Sequence, residues 1–270
     1  EMRRERHAPL VVYIAKGFDT EEVWEALELE GEELKGGKKG TVRRVGRLVV
    51  KESGLGLGQV IKRTVRRAHY RRGWLAAHAL RARGVPVPVP VAFAERRHLG
   101  IIAAQAMVSE YLDGQRNVER FAVGLCQRGG GRDTLTLFLD ALAEAINGLN
   151  AAGAYHADLS GKNILTGDGA RFTFIDLDAV MLDAPYTEER RLKNHIQLWD
   201  SFCDFMHERL LVPFITKLLP PEIDARLWLP RVREGQEKRR RILVARYASR
   251  GEERPHPLGN EMGSAEQEHP

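Results

Sequence analysis

Residues 153 to 165 read "GAYHADLSGKNIL", and this stretch decides the fold. It lies between an apolar run with helical spacing (Leu135, Phe138, Leu139, Leu142, Ile146, Leu149, closing at Gly153) and a short apolar strand. Within eight positions it places His156, Asp158, Lys162 and Asn163. A folding pattern alone has no need for an Asp and an Asn five residues apart here; a phosphoryl-transfer site does.

Working outward, "NILTGDGARFTFIDLD" predicts two short strands around the turn Gly167-Asp168-Gly169. Asp158 and Asn163 precede the first strand and Asp176 ends the second, so a hairpin is expected to bring the three together. Two carboxylates and an amide oxygen suit Mg²⁺, a hard ion that shares its oxygen ligands with substrate phosphates. Asp176 is then the expected main metal ligand and Asn163 a second. Asp158 orients the attacking hydroxyl or accepts its proton. His156 is expected to pack and fix the loop backbone. Lys51, ending the alternating run "RLVVK", fits the strand lysine that holds nucleotide phosphates, and Lys162 is a second cation for the transferred group.

Upstream, "LVVYIAK" (10–16) reads as a strand, "TEEVWEALELEGEELK" as an acidic helix or loop, and "TVRRVGRLVVKES" as a hairpin about Gly46. Gln59 to Arg83 has helical spacing and stops at Gly84. Pro86, Pro88 and Pro90 remove ladder donors, so "VPVPVPVAFAERR" is an extended connector leading into a strand. "AAQAMVSEYLDG" is a strand. Downstream the chain reads as helices broken at Pro213, Pro220 and Pro221. The order predicts an α+β chain in two lobes: a small β-rich nucleotide lobe (1–110) and a mainly helical catalytic lobe (111–248), with a polar, disordered tail over 249–270.

The 270 residues are 43% hydrophobic and 29% charged, enough apolar material for a sizeable core. Two cysteines far apart exclude a disulfide framework and point to a reducing compartment. "EMRRERHAPL" shows no apolar secretory core, and "LGIIAAQAMV" covers about half of the ~20 residues a membrane span needs, so a chain that does not cross a bilayer is expected. The net charge of +5 is uneven. No Asp or Glu occurs between Glu52 and Glu95, where Lys62, Arg63, Arg66, Arg67, Arg71, Arg72, Arg81 and Arg83 fall. Such a block attracts an anionic partner or forms a solvated helix face.

"YHADLSGKNIL…FIDLD" resembles the catalytic loop and metal-binding strand of the protein-kinase-like fold, in the variant of the bacterial lipopolysaccharide kinases (the Kdo and heptose kinase group). His156-Ala157-Asp158 stands for HRD and Asp176-Leu177-Asp178 for DFG. "GVPVPVPVAFAE", "MVSEYLDG" and "RRLKNHIQLWDSF" are similar to the same group, over roughly residues 40 to 205. The resemblance implies a two-lobed kinase using ATP and Mg²⁺, with Glu110 to Leu112 as the hinge that meets adenine. It also implies an acidic glycolipid acceptor, the lipopolysaccharide inner core, met at the cytoplasmic face of the inner membrane as a peripheral protein.

Two departures stand out. "GGKKG" (Gly36, Gly37, Gly40) lacks the GxGxxG spacing, and the helix before Gly84 lacks the Glu expected to pair with the strand lysine. Gly73 stands where the resemblance puts that Glu, so Lys51 must find another anion, Asp176 or the nucleotide itself. The alternatives are a kinase for another small molecule or a protein, and a nucleotide-binding pseudokinase. Nucleic-acid binding is disfavoured, because no aromatic platform is interleaved with the basic residues.

Overall fold

Alternating apolar and polar residues carry the first part of the chain into strands, and 3.6-residue spacing carries the second into helices. The computed structural model describes residues 2–7, 10–36, 40–53, 69–98, 101–249 and 251. Two compact units result, Glu1–Asp113 with Asp176–Val180, and Gly114–Ile175 with Met181–Pro270. The expected tail lies outside the described residues apart from Ser249 and Gly251.

The first unit contains β1 (Met2–His7), β2 (Leu10–Ala15), α1 (Thr20–Glu28), β3 (Glu32–Lys35), β4 (Thr41–Val45), β5 (Leu48–Ser53), α2 (His69–Ala82), β6 (Pro90–His98) and β7 (Ile101–Glu110). Its seven strands form one sheet in the order β1-β2-β6-β7-β5-β4-β3, every neighbour antiparallel. The hairpin about Gly46 forms as expected, with Val45 opposite Leu48 and Gly46 at φ 57. The acidic segment after Lys16 divides into α1, capped by Asp19, and the edge strand β3.

Side chains two apart share a face. Val12, Ile14, Leu48, Val50, Ala92, Ala94, Ala106 and Val108 are buried with Val23 and Ala26 of α1. The intervening positions carry Tyr13, Phe93 and Met107, which pack with Tyr70 and Trp74 of α2. Register pairs Lys51 with Met107, Met107 with Phe93, and Phe93 with Tyr13. Lys51 therefore stands on the α2 face, one position out of phase with the apolar core. α2 ends on Gly84 at φ 76, with the Val85 N–H bonded to Leu80 O (2.9 Å). Of the expected helix Gln59–Arg83, residues 59–68 lie outside the described residues, with Lys62, Arg63, Arg66 and Arg67 among them. The proline connector enters β6 at Pro90, where the register shifts between Pro90 and Ala92.

The second unit carries β8 (Arg116–Asn117), α3 (Val118–Gln127), α4 (Arg132–Ala151), β9 (Ala154–His156), β10 (Ile164–Thr166), β11 (Thr173–Phe174), β12 (Val180–Leu182, its first residue belonging to the first unit), α5 (Glu188–Phe202), α6 (Glu208–Lys217) and α7 (Ala225–Ala248). α4 buries Leu135, Phe138, Leu139, Leu142, Ile146 and Leu149, the stripe its spacing predicts. β10 and β11 pair as the expected hairpin, Ile164 opposite Phe174.

One expected break is absent. Pro213 lies inside α6, and the helix continues past it. The ring removes one backbone donor, but Leu211, Phe214 and Ile215 on either side are buried and hold the helix to its neighbours. Cys126 and Cys203 are free, and burial pushes the Cys203 thiol up to about 11. Among the described residues no helix is long and apolar enough to cross a membrane. The expectation of a sheet-rich first part and a helical second part holds.

Candidate active site

The loop after β9 is held from three sides within the second unit. His156 is fully buried; its Nε2 donates to Ile175 O (2.9 Å) and its Nδ1 accepts from the Asp158 N–H (3.2 Å). A carbonyl can only accept, so these bonds assign the proton to Nε2. The ring works as a brace on the backbone.

Asp158 is held by its carboxylate as well. Its Oδ1 accepts from Gln197 Nε2 (3.1 Å) and its Oδ2 from Asn163 Nδ2 (3.1 Å), which also donates to Asp158 O (2.8 Å). Gln197 Oε1 accepts the Leu159 N–H (3.0 Å). One helical turn on, Ser201 Oγ accepts the Gly161 N–H (2.8 Å) and donates to Gln197 O (2.9 Å). A Cβ at Gly161 would lie 2.6 Å from Glu119 Cγ and 3.2 Å from Ser201 Cβ, so only glycine lets the loop pass between α3 and α5. Asp158 and Asn163 thus meet as expected, braced by two residues the sequence reading did not single out. Gln197 and Ser201 stand one turn apart on α5, buried together with Leu198, Trp199 and Phe202.

Asn163 O accepts the Ile175 N–H (2.9 Å), and Asp176 is the next residue in the chain. Asp176 itself belongs to the first unit, where it pairs with Lys51. Lys51 Nζ makes a second ion pair, 2.9 Å to Asp178 Oδ1, and lies 5.4 Å from the Tyr70 ring centroid. Burial alone would lower the lysine, but the Asp176 and Asp178 carboxylates hold it well above its ordinary value, so it is a permanent cation. Burial pushes the Asp178 carboxyl up, against the pull of Lys51. Asp176 adopts the left-handed conformation (φ 61) and keeps its side chain 38% exposed. The expectation that Lys51 finds Asp176 is therefore met, and Asp178 is an additional partner.

The remaining sequence candidates are placed as follows. Lys162 is exposed on the 3₁₀ turn Gly161–Asn163. Glu110 ends β7; its N–H is taken by Val89 O (3.0 Å) and its carboxylate by Arg47 (3.2 Å). The Tyr111 N–H bonds Arg47 O (2.8 Å), and Leu112 is half-buried.

The model of the lipopolysaccharide kinase (Kdo/WaaP) family matches residues 38–211. The chain belongs to that family. Among curated proteins, two similar ones are each described as 3-deoxy-D-manno-octulosonic acid kinase. Those of Xylella fastidiosa strains M23 and M12 are 30% identical over 128 residues, 47% of this chain and 47% of each of theirs. The chain thus aligns with about half the length of the curated relatives it matches. A solved structure of WaaP in complex with acyl carrier protein superposes with a TM-score of 0.61 at 24% identity, over 83% of this chain and 93% of that one. At that identity the likeness establishes a shared fold.

The family implies the use of ATP, and each unit carries hard oxygen donors of a kind that would suit an accompanying Mg²⁺. Among the described residues no cluster of three or more His, Cys, Asp or Glu is placed to hold a metal alone. Mg²⁺ asks for less, one or two carboxylates with the rest of its shell from substrate phosphates and water. The half-exposed Asp176 carboxylate and the Asn163 amide oxygen are hard donors of that kind.

Proposed function

We propose that this chain transfers the γ-phosphoryl group of ATP to a sugar hydroxyl, Kdo or heptose, of a lipopolysaccharide inner core. The family membership supports the reaction and the acceptor class. The single structural observation that carries the reading is the Asp158 carboxylate, held by two neutral amides that fix its direction without neutralising it.

In this reading Asp158 accepts the acceptor hydroxyl's hydrogen bond and takes its proton as the oxygen attacks, a role worth about 10²–10⁴ in rate. Lys51 holds the nucleotide phosphates and Lys162 meets the transferred group from solvent. Asn163 and Asp176 hold Mg²⁺, which when bound neutralises charge on the phosphates. Glu110 to Leu112 contact adenine through backbone groups other than the two N–H groups already spent. The acceptor is an acidic glycolipid, met at the cytoplasmic face of the inner membrane. Arg71 and Arg72 of α2, exposed on a helix with no acidic residue, favour its phosphate or carboxylate groups, with about 1 kcal/mol per basic residue from an anionic surface.

The test is transfer from labelled Mg·ATP to intact and deacylated Kdo-containing lipid A core, wild type against Asp158→Asn. Transfer lost in the variant is the expected result. Absence of transfer by wild type to either acceptor, with tight Mg·ATP binding, would refute the acceptor class.

A further inference from the structure

The helix that should carry a carboxylate for Lys51 carries a glycine, yet Lys51 is not short of anions. We propose that Asp178 is the positioning residue for Lys51 in this chain, and that Gly73 is glycine because Asp178 occupies the space a helix side chain would need. A carboxylate has moved from the helix to the turn that follows Asp176. The inference rests on the kinase reading for what Lys51 does, and not for what holds it.

Three observations carry it, all within the first unit. First, of Lys51's two carboxylates, Asp176 is the more exposed (38% against 25%) and is the one the kinase reading assigns to the metal. Were a metal ion to draw on Asp176, Asp178, bonded to Lys51 at 2.9 Å, would be the carboxylate left for the lysine. Second, a Cβ built at Gly73 would stand 3.0 Å from the Asp178 N, 3.3 Å from its Cα and 3.4 Å from its Cβ. Any side chain at 73 forces the turn Leu177–Ala179 to retreat by a few tenths of an ångström, and a Glu would begin its path inside that turn. Third, Tyr70 and Gly73 are three apart and so share one face of α2, and the Tyr70 ring lies 5.4 Å from Lys51 Nζ. That face is turned to the lysine, and its next position is empty where the turn's backbone comes in.

The turn is suited to the task. Asp176 takes φ 61, and the Ala179 N–H bonds Asp176 O (3.2 Å), so the two carboxylates are carried by one short, closed piece of backbone. Leu177 between them is buried and anchors it.

The test uses the full chain as wild type, Asp178→Asn and Gly73→Ala. Each is treated with limiting sulfo-NHS-acetate and Lys51 acetylation is mapped by mass spectrometry, with exposed Lys162 as internal reference. Asp178→Asn keeps the shape and removes the charge, and Lys51 labelling should rise at least about threefold relative to Lys162, as expected for loss of a partly buried ion pair. Gly73→Ala, which leaves every charge in place, should raise it by less. Mg·ATP affinity should fall about tenfold in Asp178→Asn. An unchanged Lys51 ratio in a normally melting Asp178→Asn would overturn the proposal, whatever happens to ATP. A raised ratio in a chain that binds no ATP would leave the proposal standing and remove the kinase reading instead.

Discussion

In the second unit, Asp158 is held by neutral groups: two amides on its carboxylate and an imidazole nitrogen on its N–H. In the first, Lys51 is held by charge, between two carboxylates and over an aromatic ring. Neutral donors fix a direction and leave a carboxylate its charge, which a group that must accept a proton requires. Ionic partners fix a position and keep a lysine charged, which a phosphate-binding group requires. The difference in bracing suits the different work proposed for the two residues.

That contrast can be broken from either side. The largest effect is on Asp158: Asp158→Asn should cut phosphoryl transfer by about 10³, with a stability cost of about 1–3 kcal/mol, since the amide fits the same space but sets its N–H₂ against the donor of Gln197 or Asn163. Acid should come next. His195 is buried on α5, and its Nδ1 accepts from Trp228 Nε1 (2.9 Å). Burial, helped by Arg191, pushes it down from 6.5 to about 3. The unfolded chain binds that proton below about 6.5 and the folded one only near 3, so stability is full above 6.5 and falls as pH drops through that window. The loss is on the order of a few kcal/mol. His195→Gln, which keeps an acceptor for the indole, should flatten the slope of denaturant midpoint against pH; an unchanged slope would show that His195 does not set it.

Gln197→Leu should cost about 1–3 kcal/mol in urea unfolding, because the Leu159 N–H is left without its partner. It should also lower kcat more than it raises the KM for ATP, since it unfixes the proposed base and not the proposed phosphate-binding cation. The smallest effect is that of salt. At 1 M NaCl the screening length is about 3 Å, which should loosen Lys51 measurably by its acetylation ratio and leave the neutral bracing of Asp158 untouched, as read by loop amide exchange.

The parts of this fold that could be read from the sequence are those where one residue's neighbours decide its place. The α4 stripe, the Gly46 hairpin, the Gly84 helix end and the pairing of Asp158 with Asn163 are local and periodic. Gln197 was hidden because its partners lie nearly forty positions earlier, and nothing near it states which face of α5 meets the loop. Asp178 was hidden because its role depends on a left-handed residue two places before it and on a helix a hundred residues away. Pro213 misled because the rule for proline concerns an isolated helix, whereas α6 is held by the burial of Leu211, Phe214 and Ile215.

Among the described residues the seven-stranded sheet ends at β1 and β3, and the composition of these edges bears on how the protein survives in a crowded cell. β1 is "MRRERH", with Arg3, Arg4 and Arg6 exposed; β3 is "EELK", exposed along its whole length. Unpaired strand edges are templates for the edge of another molecule, and charged side chains along them blunt that tendency. Two copies meeting β1 to β1 would crowd arginines, and two meeting β3 to β3 would crowd Glu32 and Glu33. Each edge of the sheet thus discourages its own like, and replacing Arg4 and Arg6 by Thr would shorten the time to turbidity on gentle heating.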